Sequence, residues 1–174
     1  METAPVNNFS NMSGIKKFGK GLGFEIKSVI PVLGEYTIGN IDLKHDNLKE
    51  DVVLLSKGKD AKCEKEKAGE SFLTGLMYAI KAYVPFYGTY AIGQDKIEHE
   101  KLKKDITALQ EGAELVQTDK QAGVFKTYFK GLGERIKHLI PIYSTYYRGK
   151  LVSETIGMEK AVEEIQDAKD AKKA

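Results

Sequence analysis

Two histidines stand in acidic company. His45 lies in "KHD" and His99 in "EHE", each fourteen residues after a proline, Pro31 and Pro85. Imidazole beside carboxylate is the raw material of metal sites and proton relays. A metal site on one helix needs ligands three or four residues apart, so that they share a face. His45 has Leu48 and Lys49 at those distances; His99 has Leu102 and Lys103. Neither can chelate along its own helix, and both are expected to be solvated surface histidines.

Two other stretches invite chemistry and do not sustain it. "GKGLG" at 19–23 looks like a phosphate cradle. A nucleotide loop needs a longer glycine spacing closed by Gly-Lys-Ser/Thr, or GxGxxG after a strand, and neither is present. Cys63 lies in "KDAKCEKEK", where neighbouring lysines are expected to lower its thiol pKa. No histidine is near it in sequence, so it reads as an idle exposed thiol. A lone cysteine cannot form an intrachain disulfide, which fits a reducing compartment. No metal, cofactor or catalytic set is expected, and the chain reads as non-enzymatic.

The remaining candidates come from a sequence pattern written three times. "KGLGFEIKSVIPVLGEY" at 20–36 returns as "KGLGERIKHLIPIYSTY" at 130–146, and more weakly as "TGLMYAIKAYVPFYGTY" at 74–90. Aligned on Pro31, Pro85 and Pro141, the copies share a glycine ten residues earlier: Gly21, Gly75 and Gly131. They share a lysine four earlier: Lys27, Lys81 and Lys137. They share a tyrosine five later, Tyr36, Tyr90 and Tyr146, and a glycine eight later, Gly39, Gly93 and Gly149. Farther on, Leu48/Leu102/Met158, Val52/Ile106/Val162 and Leu55/Leu109/Ile165 stay in register. The pattern predicts a leader over 1–13 and three units, 14–67, 68–121 and 122–174, in one domain.

Each unit reads as helix, corner, helix. Phe18, Leu22, Ile26 and Ile30 form one stripe at helical spacing, and its commonest use is to face a core. The residue before a proline is pushed out of the α region, so the first helix ends near the proline or kinks there. Leu48, Val52 and Leu55 form the stripe of a second helix whose other face is charged. The glycines within the first helix either delay its start or let a neighbouring helix approach closely; recurrence of one glycine in all three copies favours close approach. A competing reading makes "SVIPVLGEYTIG" a pair of short strands, against which stand the proline and the lack of alternation. The expected fold is all-α, three tandem repeats of about 55 residues in a small bundle or short α-solenoid.

The recurring lysines and tyrosines allow two uses. Structurally, lysine stems run along a core edge and a corner tyrosine bonds a carbonyl left free by the proline. Functionally, Lys20, Lys27, Lys81, Lys130, Arg135 and Lys137, with Tyr36, Tyr90 and Tyr146, form a ladder for an anionic partner.

Two functions follow from different classes. A helical repeat scaffold binds another protein through its extended surface. A peripheral membrane protein binds anionic lipid through basic amphipathic helices and a proline-bent apolar hairpin at Phe72–Gly93. A net charge of +2 gives no general pull toward nucleic acid. The N-terminus has neither a basic start nor an apolar run, so no signal peptide is expected. The expected location is cytoplasmic or at a membrane surface.

Overall fold

The computed structural model describes residues 9, 12–64, 66–84, 86–113, 115 and 123–172. The chain is all-helical, with no strand among the described residues. Its elements are α1 (Gly14–Ser28), α2 (Leu33–Ser56), α3 (Ala68–Tyr83), α4 (Tyr87–Gln110), α5 (Val124–His138) and α6 (Pro141–Ala171). The strand reading of residues 28–39 is overturned: α2 has begun by Leu33. Of the leader expected over 1–13, all but Phe9, Met12 and Ser13 lies outside the described residues, as does Pro85.

Glycine decides where the long helices stop. Gly58 and Gly112 both take left-handed backbone, φ 71° and 68°, just past α2 and α4. The backbone N–H of Lys59 then donates to the Leu54 carbonyl at 2.9 Å, and that of Ala113 to Ala108 at 2.8 Å. These bonds satisfy carbonyls that the helix ends leave open. The matching position in the third stretch is Ala168. Without a glycine there, α6 runs on for 31 residues, against 24 in α2 and α4.

The three long helices meet along a common core. Leu48, Val52 and Leu55 of α2, Leu102 and Ile106 of α4, and Met158, Ala161 and Val162 of α6 are buried together with Phe9. The second-helix stripe anticipated from spacing is thus this core. Three ion pairs lace the same helices: Lys49 to Glu98, Lys103 to Glu154 at 2.7 Å, and Lys44 to Glu159 at 2.6 Å. Each joins a residue eighteen past one proline to a residue thirteen past the next. At the third interface the charges are exchanged, with lysine at the thirteenth place and glutamate at the eighteenth.

The short helices do not pair with the helix they turn into. α3 lies along α2, α5 along α4, and α1 along α6, so the first helix packs on the last and the set closes. At each crossing two glycines meet: Gly39 with Gly75, Gly93 with Gly131, Gly21 with Gly149. A methyl group built on any of them lands on the backbone carbonyl of the opposing helix. Close approach is therefore what the recurring glycines serve, and α1 begins before its own rather than after them.

The first-helix stripe is where expectation and structure part. Phe18, Leu22, Ile26 and Ile30 are exposed, as are Leu76, Ile80, Phe129 and Ile136. The short helices turn small residues inward instead: Gly21 on α1, Ser71 and Gly75 on α3, Thr127 and Gly131 on α5. Interaxial contact through backbone leaves no room for large side chains, so these sit on the outer face.

Two corners carry strained backbone. Val32 and Phe86, each one residue past its proline, have φ of 69° and 62°. A β-branched or bulky residue in that region costs about 1 kcal/mol or more. With ψ of -47° and the Leu33 N–H donating to the Pro31 carbonyl at 2.8 Å, Val32 sits at the centre of a γ-turn; Val32→Gly, which has no Cβ to clash there, is expected to raise unfolding stability by up to about 1 kcal/mol in denaturant titration.

Candidate functional site

Inside the collar of short helices lies a chamber lined by apolar side chains and a set of charged ones. It has two connecting lobes of about 660 and 370 Å³, which share Asp42, Tyr78, Asp95, His99 and Leu151 in their walls. The larger lobe reaches outward between α3 and α4, past Leu73, Met77 and Tyr87. The smaller lobe runs inward toward Phe24, Glu134, Arg135 and Tyr147.

The histidines expected at the surface form the chamber floor. His99 is buried, and its Nε2 lies 3.0 Å from Glu154 Oε2. His45 Nε2 lies 3.0 Å from His99 Nδ1, with the rings stacked 5.1 Å apart. The surface expectation looked for partners three or four residues along one helix; the partners come from neighbouring helices, α2, α4 and α6. Burial, then the nearby His99 and Lys49, pushes the His45 imidazole down to about 4, so it is neutral at pH 7. Burial works to raise the Glu154 carboxyl. The hydrogen bonds from His99 and Lys103 outweigh it and bring the group down to about 2.

The carboxyls above the floor behave oppositely. Burial, then the charges of Asp95 and Asp46, pushes Asp42 up to about 7 against the pull of Lys49 and Lys81. Burial of its carboxyl, then Glu98, pushes Asp95 up to about 6, although the residue as a whole is exposed. The walls press the Tyr78 and Tyr147 hydroxyls upward too, first by burial. Several cations lining the chamber have partners, although Lys81 in the larger lobe makes no hydrogen bond or ion pair among the described residues. Lys96 donates to the Tyr147 hydroxyl at 2.9 Å, Arg135 to Thr89 Oγ1 at 2.9 Å, and Arg148 sits over the Phe24 ring. No three His, Cys, Asp or Glu side chains among the described residues are grouped to hold a metal ion.

The chain matches no protein-family model, no curated protein and no solved structure.

The lysine and tyrosine positions are scattered around the bundle rather than set in one row. Lys20 and Lys27 are on α1, Lys81 on α3, and Lys130, Arg135 and Lys137 on α5, and these three helices do not touch one another among the described residues. Lys27, Lys81, Arg135 and Lys137 are exposed; Lys20 and Lys130 are half-buried. Lys130 pairs with Glu100 and Lys137 with Glu134. Tyr36 and Tyr90 are half-buried and Tyr146 is exposed. None of the three hydroxyls makes a hydrogen bond among the described residues, so the carbonyl-capping role does not apply.

Cys63 departs from its expectation as well. Partial burial, then the carboxylates of Asp51, Glu163 and Asp167, pushes its thiol up rather than down. The Asp51 carboxylate accepts the backbone N–H groups of Lys62, at 2.7 Å, and of Cys63, at 3.3 Å. It ties the linker to α2 in doing so.

Sequence reading missed the chamber because its parts are ordinary when taken singly. One signal was available. Positions seven before the prolines hold Phe24, Tyr78 and Glu134, all unlike the aliphatic stripe beside them, and all three line the chamber.

Proposed function

We infer that the chain is a non-enzymatic module of three tandem helix–corner–helix repeats, closed on itself, that docks on an anionic membrane surface through its outer helices and corners. The observation that carries this reading is the inside-out build of the short helices. Small residues face the protein and large apolar residues face away. Helices that associate in lipid follow that rule, because lipid solvates the large side chains. Isolated exposed apolar residues need no account, but contiguous ones do. Here the exposure continues from the helices through the corners, including Ile30, Val32, Val84, Phe86, Leu139 and Ile142.

Charge supports the same surface. α1 carries Lys16, Lys17, Lys20 and Lys27, and α5 carries Lys126, Lys130, Arg135 and Lys137. A basic fringe beside an apolar face suits anionic headgroups. Depth is bounded. No helix among the described residues is long and apolar enough to cross a membrane. The 15 residues of α1 span about 22 Å, less than the roughly 30 Å of a hydrocarbon core. Immersion of this kind reaches one leaflet.

Sedimentation with vesicles of phosphatidylcholine and phosphatidylserine tests it. The protein is expected to pellet at low salt and to be largely released at high salt. Val32→Asp combined with Phe86→Asp and Ile140→Asp should keep the protein in the supernatant without loss of helical signal.

One observation favours a protein partner instead. α3 carries Lys81 as its single basic residue after Ala68, so its exposed face from Leu73 to Val84 lacks a fringe. Such a face suits an apolar helix of another protein, the scaffold reading. Failure to pellet at low salt overturns the lipid reading and leaves the scaffold.

A further inference from the structure

A second groove lies outside the chamber, between α4, α5 and α6. It holds about 640 Å³ and is lined by four lysines, Lys96, Lys130, Lys137 and Lys150, against two glutamates, Glu100 and Glu134. Tyr143, Tyr146, Tyr147 and Phe129 form its aromatic wall. The glutamates are already shared out. Lys96 and Lys130 both reach Glu100, and Lys137 pairs with Glu134. Lys150 makes no hydrogen bond among the described residues. Its ion pair is with Glu154, 3.9 Å away, whose oxygens are already held by Lys103 and His99. Positive charge is therefore left over around the groove.

The repeated sequence supplies an internal comparison. The groove's counterpart between α2, α3 and α4 is the larger lobe of the chamber, nearly equal in size at about 660 Å³. In register, Lys96, Lys130 and Lys150 stand opposite Asp42, Thr74 and Gln94, which line that lobe. Where α6, α1 and α2 meet, the same places hold Val152, Lys20 and Asn40. Packing at these places thus accepts an acid, a hydroxyl, an amide or a valine. Lysine at all three is confined to one groove, and folding does not ask for it.

We propose that this groove binds a phosphomonoester, the phosphate held by Lys96, Lys130 and Lys150 and its organic part lying against Tyr143 and Tyr147. A phosphomonoester carries close to two negative charges at pH 7 and three acceptor oxygens. Four lysines against two glutamates leave the matching excess. A carboxylate or a phosphodiester, with a single charge, does not balance it. Ammonium groups make strong charge-assisted bonds to phosphate. The Tyr143 and Tyr146 hydroxyls, unbonded among the described residues, add neutral donors. The volume suits a small organic group.

This chemistry has two sources: a free sugar or inositol phosphate, or the phosphorylated headgroup of a lipid. Phe129 and Tyr146 are exposed at the groove, and Ile140 and Ile142 are exposed at the corner beside it. A headgroup in the groove would lay its chains over that apolar surface. The site stands on the groove alone; only its headgroup source rests on the membrane reading.

Calorimetric titration of the full chain with inositol trisphosphate tests the free source. Sedimentation with vesicles holding phosphatidylinositol bisphosphate, against phosphatidylserine vesicles of equal total charge, tests the headgroup. Lys130→Thr and Lys150→Gln, made separately, install the residues of the counterpart lobe and are expected to melt as wild type does. Lys57→Gln removes one charge just past α2, away from the groove. Inositol trisphosphate binding that weakens about tenfold in both groove variants, and not in Lys57→Gln, supports the site with a free phosphate. A preference for bisphosphate vesicles that both groove variants lose, and Lys57→Gln keeps, supports it with a headgroup. If neither probe shows that dependence, the site is overturned. Pelleting with phosphatidylserine vesicles would then report the outer helices alone.

Discussion

Gly93→Ala is expected to lower unfolding stability by about 3 kcal/mol or more, whereas Gly23→Ala raises it by about 0.5–1 kcal/mol. The two substitutions are chemically identical and both fall in helices. In an open helix, alanine is the better residue by about 1 kcal/mol, because glycine loses more backbone freedom on folding. Gly23 shows that case, since a Cβ there meets nothing within 4 Å. At Gly93 the same methyl falls on the Thr127 carbonyl oxygen, with the backbone N–H of Gly131 close behind. A side chain could rotate aside, but a helix backbone must translate as a body. That motion opens the α4–α5 crossing and strips the packing of every residue along it. Denaturant unfolding followed by circular dichroism gives both numbers. Equal effects at the two sites would show that the crossing yields, and that the glycines are not there for close approach.

Glu154→Ala is the second large effect, a loss of about 2–4 kcal/mol at pH 7. Glu154 is buried and accepts from His99 at 3.0 Å and from Lys103 at 2.7 Å. Removing it strands an ammonium and a buried imidazole together. The pH dependence follows from direction. The folded Glu154 carboxyl sits near 2, below its ordinary value of 4.5. Its contribution is therefore fully present above about 4.5 and is lost as pH falls through 2. His45, held down to about 4 against an ordinary 6.5, also costs stability as pH falls from 6.5 to 4. Asp42 and Asp95 act the other way, binding protons more tightly when folded, and so add stability as pH drops below 7. Wild type should thus change little between pH 7 and 5 and weaken steeply below 4. The Glu154→Ala variant should lack most of that acid limb. An unaltered acid limb would mean that other carboxylates govern acid unfolding.

How far the sequence disclosed this follows from what periodicity encodes. The core of the long helices was legible because Leu48, Val52 and Leu55 and their counterparts keep a four-then-three spacing that serves one face. Ile106 and Met158, both at 0% exposure, stand where that register puts them. The short helices have an equally clear stripe, yet it points outward. Periodicity says that a face is apolar; it does not say whether protein, lipid or a partner covers it. The two glycine columns were also visible, ten before and eight after each proline. Their pairing was not, because Gly21 meets Gly149 rather than a glycine of its own stretch. The His45–His99–Glu154 contact stayed hidden for the same reason, since its members sit 54 and 55 residues apart.

The closing crossing has a consequence for the order of assembly. Glu25 on α1 accepts a hydrogen bond from Thr145 on α6, 120 residues later in the chain. The chain is synthesised from its N-terminus, so α2 and α3 can join as soon as both exist, and α4 and α5 after them. The helix made first must wait for the helix made last. Through that interval the glycine face of α1 has no counterpart, and its apolar face is open to whatever surface lies nearby. Among the helix pairs of the described residues, α1 with α6 is the most distant in sequence, and on topological grounds its closure is the slowest.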